Sequence, residues 1–254
     1  MTQSEKAAAF RTLHVKGAPV ILFNIWDPGS AKAVEAEGAK ALATGSAPVA
    51  MANGFPDGEK IPLELACENF KRIVKTTDLP VTMDLEGGYG SDANAVIASV
   101  NAGLSAGAVG FNFEDQIVGG QGLYEVAAQS ARVAAVRKAC DASGVPAFVN
   151  ARTDVFLKVK PDAHSRAMLD DAITRAKAYA DSGADGFFAP GLKDEAMIAR
   201  LCSAIDLPVN IIALPGTPPN EKLASLGVAR ISYGPVPYRA MMKALGEAAR
   251  LALA

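Results

Sequence analysis

Short apolar runs alternate with longer amphipathic ones along almost the whole chain. Residues 19–23, 40–43, 81–83, 108–113, 147–149, 186–188, 209–212 and 228–231 are short, apolar and β-branched or aromatic enough to predict strands. Between them, residues 30–37, 63–76, 92–106, 127–143, 163–182, 194–205 and 221–225 carry helical periodicity, and a last helix covers 236–253. Gly38, Gly107, Gly144, Gly183 and Gly227 each follow a helical segment and precede a strand, the usual chemistry of a helix-to-strand turn. Eight strands, each followed by a helix, predict an α/β protein of the (β/α)8 TIM-barrel class, with residues 4–16 as an extra N-terminal helix. No GxGxxG follows the first strand, which disfavours an open doubly wound sheet. No linker or low-complexity tract interrupts the pattern, so residues 1–254 read as one barrel domain.

Composition narrows the picture. The 254 residues are close to the roughly 250 of a typical barrel. Half are hydrophobic and only 6% aromatic, which predicts an interior filled mainly by aliphatic side chains. A formal net charge of −2 gives no reason to expect nucleic acid or an anionic membrane as partner. The chain has no long apolar span and no signal-like N-terminus, so a cytoplasmic protein is expected. Cys67, Cys140 and Cys202 form no CxxC pair and read as reduced thiols. Two histidines, His14 and His164, are too few for imidazole-based metal chemistry.

In such a barrel the site lies at the C-terminal ends of the strands. Asn24, Asp27, Thr44-Gly45-Ser46, Asp84, Glu86, Asn112, Glu114, Asp115, Asn150, Arg152, Asp154, Asn210 and Ser232 all fall there in the predicted register. Asp84 and Glu86 are two apart and leave the strand on one side, followed by Gly87-Gly88-Tyr89-Gly90. Two carboxylates with no histidine nearby suit a hard, oxygen-ligated cation such as Mg²⁺, although an acidic glycine turn explains the same residues. Glu114, ending the fourth strand, reaches toward the same place, or caps a loop. Asp57, between Pro56 and Gly58, has an ordinary turn role as its plain reading. Arg152 can grip a carboxylate with two parallel hydrogen bonds or balance oxyanion charge, and an internal salt bridge to Asp154 or Glu114 is compatible with either role. Thr44, Gly45 and Ser46 offer hydroxyl and N–H groups to a carboxylate.

These segments carry a resemblance. Asp84-Leu85-Glu86-Gly87-Gly88-Tyr89-Gly90 resembles the acidic DxDxGxG metal motif of the isocitrate lyase/phosphoenolpyruvate mutase superfamily. Glu114-Asp115-Gln116 resembles its EDQ strand end and Ala151-Arg152-Thr153-Asp154 its ARTD segment. Gly54-Phe55-Pro56-Asp57, Thr44-Gly45, Asn210 and the ending that contains Tyr238-Arg239-Ala240-Met241 fit in order, over nearly the whole chain. The resemblance implies a Mg²⁺ site, with Mn²⁺ as the alternative ion, held by Asp57, Asp84, Glu86 and Glu114, mostly through waters. It implies Thr44, Gly45, Ser46, Arg152 and Asn210 as substrate-binding residues, and Arg152, Glu114 and Asp57 as the catalytic set. The substrate class it implies is a small 2-oxo or 2-hydroxy acid cleaved through a metal-stabilised enolate. It further implies a homo-oligomer, dimer or tetramer, with the C-terminal helix exchanged between subunits.

The chain also departs from that pattern. Residues 115–124 lack the Lys-x-Cys-Gly-His lid of the isocitrate and methylisocitrate lyases, and the Lys and Asn of the mutase lid. Glu86 stands for the usual second Asp, Ala43 for an aromatic residue, and Pro190 near a position that is often polar. Without a lid acid, cleavage of isocitrate-type substrates is disfavoured, whereas decarboxylation of oxaloacetate needs only a proton from water. A hydrolytic C–C cleavage, a P–C bond enzyme of the mutase type and a non-catalytic 2-oxo acid-binding barrel are the alternatives. A Schiff-base aldolase ranks last, because no Lys ends a strand.

Overall fold

The computed structural model describes residues 1–254. Helix α1 (Gln3–Thr12) opens the chain, its first turn closed by a reciprocal capping box between Thr2 and Glu5. There follow β1 (Val20–Leu22), α2 (Pro28–Ala36), β2 (Leu42–Ala43), α3 (Ser46–Ala52), α4 (Leu63–Val74), β3 (Val81–Asp84) and α5 (Ala93–Ser105). The second half runs β4 (Gly110–Glu114), α6 (Val126–Ser143), β5 (Phe148–Arg152), α7 (Arg166–Asp181), β6 (Gly186–Phe188), α8 (Glu195–Ala204), β7 (Val209–Ile212), α9 (Asn220–Ser225), β8 (Arg230–Ser232) and α10 (Val236–Ala252).

All strand pairs are parallel, in the order β1-β8-β7-β6-β5-β4-β3-β2. The remaining seam, between β1 and β2, closes through a parallel bridge of Ile25 with Thr44, in which Ile25 N–H donates to Ala43 O at 2.9 Å. This is the predicted (β/α)8 barrel. The predicted helix-to-strand turns are present too. Gly107 leaves α5 at φ 101°, and a Cβ there would come within 2.9 Å of Val74. Helix α3 was not expected. It begins at Ser46, the last residue of the Thr44-Gly45-Ser46 triplet that was read at a strand end.

The interior is less aliphatic than composition predicts. Asn112 is in register with Asn150, and Asn210 with Arg230, so on each neighbouring pair of strands both side chains point inward. Asn112, Asn150, Asn210 and Arg230 are all buried and hydrogen-bond to one another inside the barrel. Helix α1 covers the N-terminal end of the barrel, where the His14 ring stacks on Phe148 with centroids 4.0 Å apart.

Helix α10 is the exception to the packed arrangement. Among its residues only Pro237 is buried, while Met241, Leu245 and Leu251, and Leu253 just past its end, are exposed. The outer face of β1 is also bare, with Ile21 38% and Phe23 42% exposed. No helix is long and apolar enough to cross a membrane.

Candidate active site

A cavity of about 290 Å³ opens at the C-terminal ends of the strands. Asn24, Gly45, Ser46, Asp57, Asp84, Asn112, Arg152 and Ser232 provide its polar lining, and Leu157, Phe188, Pro190, Ile212 and Leu214 its apolar wall. Arg239, from the first turns of α10, lines the opposite side and forms no salt bridge in the chain. Sequence reading gave Arg239 no separate role. Its signal was only a lone cation beyond the last strand.

Asp84 is placed by its neighbours. The Thr44 hydroxyl accepts from Asp84 N–H at 3.2 Å, and Ser46 N–H donates to Asp84 Oδ2 at 3.1 Å. Gly45 N–H is likewise engaged, with Ile25 O. Part of the expected carboxylate cradle therefore serves to aim Asp84, while Gly45 and Ser46 still line the cavity. Thr44 itself is buried and lies behind the lining. Asp84 Oδ1 is buried with no hydrogen-bond partner. Burial raises the Asp84 pKa, opposed chiefly by the Arg152 charge.

Glu86 is buried just beyond the strand end, where Glu59 N–H donates to its Oε2 at 2.8 Å. Burial, and then the charges of Asp84 and Asp57, push Glu86 up to about 8. Three non-glycine residues around this turn, Glu59, Glu86 and Tyr89, adopt left-handed φ of 56°, 51° and 56°. Such strain persists where surrounding contacts enforce it, commonly at functional sites. Gly88 makes the turn fit, because a Cβ there would lie 2.8 Å from the Phe113 ring. Glu59, in the loop before α4, was not singled out from sequence.

Glu114 ends β4 and forms an ion pair with Arg152, its Oε2 2.7 Å from Nη1. Burial raises the Glu114 pKa well above the usual range, with Arg152 as the main opposing charge. Burial also pulls Arg152 down, but Glu114 and Asp154 outweigh it and hold the guanidinium protonated. Asp154 is in turn fixed, its N–H donating to Asp115 Oδ1 at 3.0 Å, and Asp115 Oδ2 accepts from Arg175 and from the Tyr179 hydroxyl. From the first two turns of α6, Gln129 Nε2 donates to Glu114 O at 3.0 Å, and Arg132 donates to the carbonyls of Gly87 and Gly90. Arg132 also lies 4.1 Å over the Tyr124 ring. Tyr124 is thus half-buried, beside a smaller cleft rather than in the main cavity.

Of the expected residues, Gly45, Ser46, Asp57, Asp84 and Arg152 line the cavity, Thr44 and Glu86 line a smaller cleft that shares Asp84 with it, Glu114 pairs with Arg152, and Asn210 does not reach it. Asn210 is fully buried and its amide is spent, Oδ1 on Asn150 and Nδ2 on Arg230 O, Ile211 O and Ser232 Oγ. It stands one layer beneath the cavity, because its place inside β7 points it into the barrel and away from the rim.

A divalent cation fits this donor set. Asp57, Asp84, Glu86, Glu114 and Asp154 outnumber Arg152, and Asp84 Oδ1 lacks any partner. No three carboxylates lie close enough to one another to form a direct ligand set.

Comparison with known proteins identifies the family. Residues 10–253 match the phosphoenolpyruvate phosphomutase family, and the chain belongs to that family, within the isocitrate lyase/phosphoenolpyruvate mutase superfamily of carbon–carbon lyases and mutases. A crystal structure of a Burkholderia cenocepacia protein, provisionally described as a phosphonomutase, superposes with a TM-score of 0.96 at 48% identity, covering 98% of this chain and 99% of that one. The uncharacterized protein Rv1998c of Mycobacterium tuberculosis is 36% identical over 95% of this chain and 88% of its own. The 2-methylisocitrate lyase of Escherichia coli is 28% identical (96% and 83% covered). The oxaloacetate decarboxylase of Ectopseudomonas mendocina is also 28% identical (97% and 84%).

Proposed function

We propose that the chain is a Mg²⁺-dependent carbon–carbon lyase acting on a small 2-oxo or 2-hydroxy acid, with oxaloacetate decarboxylation as the first reaction to test. The observation that carries this reading is the unpartnered Asp84 Oδ1, buried at a cavity that also presents the Arg152 guanidinium. One face of the cavity suits a cation and the other an anion, which together suit a chelating carboxylate.

Asp84, with Asp57, Glu86 and Glu114, would hold the ion, largely through waters. Bound there, Mg²⁺ (or Mn²⁺) supplies Lewis-acid stabilisation of the negative charge that develops as the C–C bond breaks. Gly45 and Ser46 line the position for the substrate carboxylate, and Arg152 balances oxyanion charge. In oxaloacetate the bond from C3 to the distal carboxylate breaks, CO₂ leaves, and the electron pair moves toward the C2 oxygen. Water then protonates C3 to give pyruvate. No Lys, Cys, His or Tyr lines the cavity, so the chain offers no ready proton donor of its own and no Schiff-base amine. Decarboxylation needs neither. The same lining argues against mutase-type P–C chemistry and isocitrate-type cleavage.

The exposed apolar face of α10 and the bare outer face of β1 support a homo-oligomer in which the last helix is exchanged between subunits. Three unpaired cysteines fit a cytoplasmic setting, with residues 1–254 acting as one domain.

The test is NMR of the products formed from oxaloacetate and Mg²⁺, against a metal-only control. Pyruvate above that control supports decarboxylation, and oxalate plus acetate would make the chain a C–C hydrolase. No turnover, together with tight Mg²⁺–oxalate binding, would instead favour a barrel that binds 2-oxo acids without converting them.

A further inference from the structure

Arg230 lies inside the barrel, 1% exposed, in a strand whose other residues are Ile231 and Ser232. No carboxylate lies within salt-bridge distance of it, and its Nε and Nη1 have no partner. Its one side-chain hydrogen bond runs from Nη2 to Asn112 Oδ1, at 3.0 Å. An arginine carries donors only, so the Asn112 atom that meets it must be the oxygen, whichever way the amide is drawn.

Asn150 reinforces that orientation. Its Nδ2 donates to Asn112 Oδ1 at 2.9 Å and to Asn210 Oδ1 at 3.1 Å, which uses both of its N–H groups. Asn210 cannot turn over either, since its Nδ2 donates to Arg230 O, Ile211 O and Ser232 Oγ. One consequence remains for Asn112. Its Nδ2 has no acceptor in the protein and is not sealed from solvent, and the cavity is the space that Asn112 lines.

We infer that Arg230 is a positioning residue that locks the Asn112 amide so that its NH₂ faces the cavity as a fixed, neutral donor to a carboxylate or 2-oxo oxygen of the ligand. The inference rests on the functional reading above and adds a specificity-determining residue, Asn112, opposite the charged Arg152. Arg230 suits this task because it cannot accept. A glutamine in its place would leave Asn150 Nδ2 as the single donor fixing the Asn112 oxygen, so the amide would turn over in part of the population and present an acceptor, which repels an anion, to the cavity.

The test measures oxalate binding calorimetrically in saturating Mg²⁺, Mg²⁺ binding alone, and thermal stability, on wild type and four variants. Asn112→Asp gives Arg230 a counter-charge but turns an acceptor to the cavity. Its oxalate affinity should fall by roughly tenfold or more while its melting temperature holds or rises. Asn112→Leu should lose oxalate affinity and melting temperature together. Arg230→Gln should lose oxalate affinity, and Arg230→Lys, also donor-only, should recover part of it. Mg²⁺ binding alone should persist throughout.

Wild-type oxalate affinity in Asn112→Asp, or equal losses in Arg230→Gln and Arg230→Lys, would overturn the lock. A wild-type protein that binds no Mg²⁺–oxalate would overturn the functional reading instead. The thermal comparison needs no ligand, so in that case Asn112→Asp melting no higher than Asn112→Leu would still dispose of the lock.

Discussion

Arg152 clasps Asp154 through two parallel hydrogen bonds, Nε to Oδ1 at 2.6 Å and Nη2 to Oδ2 at 2.9 Å. Its Nη1 forms an ion pair with Glu114 Oε2 at 2.7 Å. A guanidinium has five N–H groups, more than these partners use, and Arg152 lines the cavity. The fork is thus held rigid from behind before any anion arrives, which lowers the ordering cost of binding.

Replacing Arg152 should therefore separate geometry from charge. Arg152→Lys keeps a cation but cannot bridge Glu114 and Asp154 together, and oxalate affinity in Mg²⁺ should drop by roughly 100-fold. Arg152→Ala leaves two buried carboxylates facing each other and should also destabilise the fold by about 3–5 kcal/mol. Calorimetry and urea unfolding read the two effects. Oxalate bound equally well by Arg152→Lys would remove the arginine from the anion site.

The crowding of Asp84, Glu86 and Asp57 predicts a trade of stability against function. Mg²⁺ should raise the wild-type melting temperature by mass action on the folded state. Asp84→Asn removes a buried charge whose Oδ1 has no donor in the metal-free fold and keeps an oxygen for Ser46 N–H, so its metal-free melting temperature should match or exceed that of wild type, and Mg²⁺ should no longer raise it. Glu86→Ala should likewise lose the Mg²⁺ response. Differential scanning fluorimetry with and without the ion checks this, and an intact Mg²⁺ shift in both variants would refute the metal assignment.

The parts of the site legible in sequence are those fixed by strand alternation and strand ends. Asp84, Glu114 and Arg152 each terminate a strand, so a period-2 pattern with a polar stop was enough to place them. Asn210 was misplaced to the rim because a short apolar run does not reveal where a strand meets the barrel mouth. Its register partner Arg230 did leave a signal, a lone charge inside Val228-Ala229-Arg230-Ile231, at an alternation point that must face inward. Arg132 and Gln129 left none. They lie in the first two turns of α6, and which loop a helical side chain reaches depends on the tilt of α6 against the barrel, which no local pattern encodes.

His14 makes acid sensitivity a testable property of the barrel floor. Its Nδ1 meets Phe10 O at 2.9 Å, so Nε2 is the bare nitrogen, and that atom is buried without a partner. Burial, and then the Arg230 charge, lower the His14 pKa to about 3 from the ordinary 6.5. The unfolded chain therefore binds the extra proton first. Stability is fully present above the unfolded value and is lost as pH falls from there toward the folded one. The loss from this residue should reach roughly 2–3 kcal/mol by pH 4.5. His14→Leu should show a smaller loss between pH 7 and 4.5 than wild type in urea titrations. Parallel pH profiles would mean that His14 carries none of the slope.

The terminal helix offers the last prediction. In a closed barrel each strand's outer face is covered by a helix, yet β1 leaves Ile21 and Phe23 exposed while α10 stands off with Met241, Leu245, Leu251 and Leu253 in solvent. Two unpaired apolar surfaces in one chain favour association, and an exchanged helix would satisfy both in a closed, symmetric assembly. Wild type should then sediment as a dimer or tetramer at micromolar concentration. Leu245→Glu and Phe23→Ser should each shift it toward monomer, and the double variant should go little further than the stronger single one, because both act on one interface. Arg239 sits at the base of the same helix and lines the cavity, so dissociation should also weaken oxalate binding without touching a residue of the anion site. A monomeric wild type would remove the exchanged helix, and an oligomer indifferent to both substitutions would place the interface elsewhere on the surface.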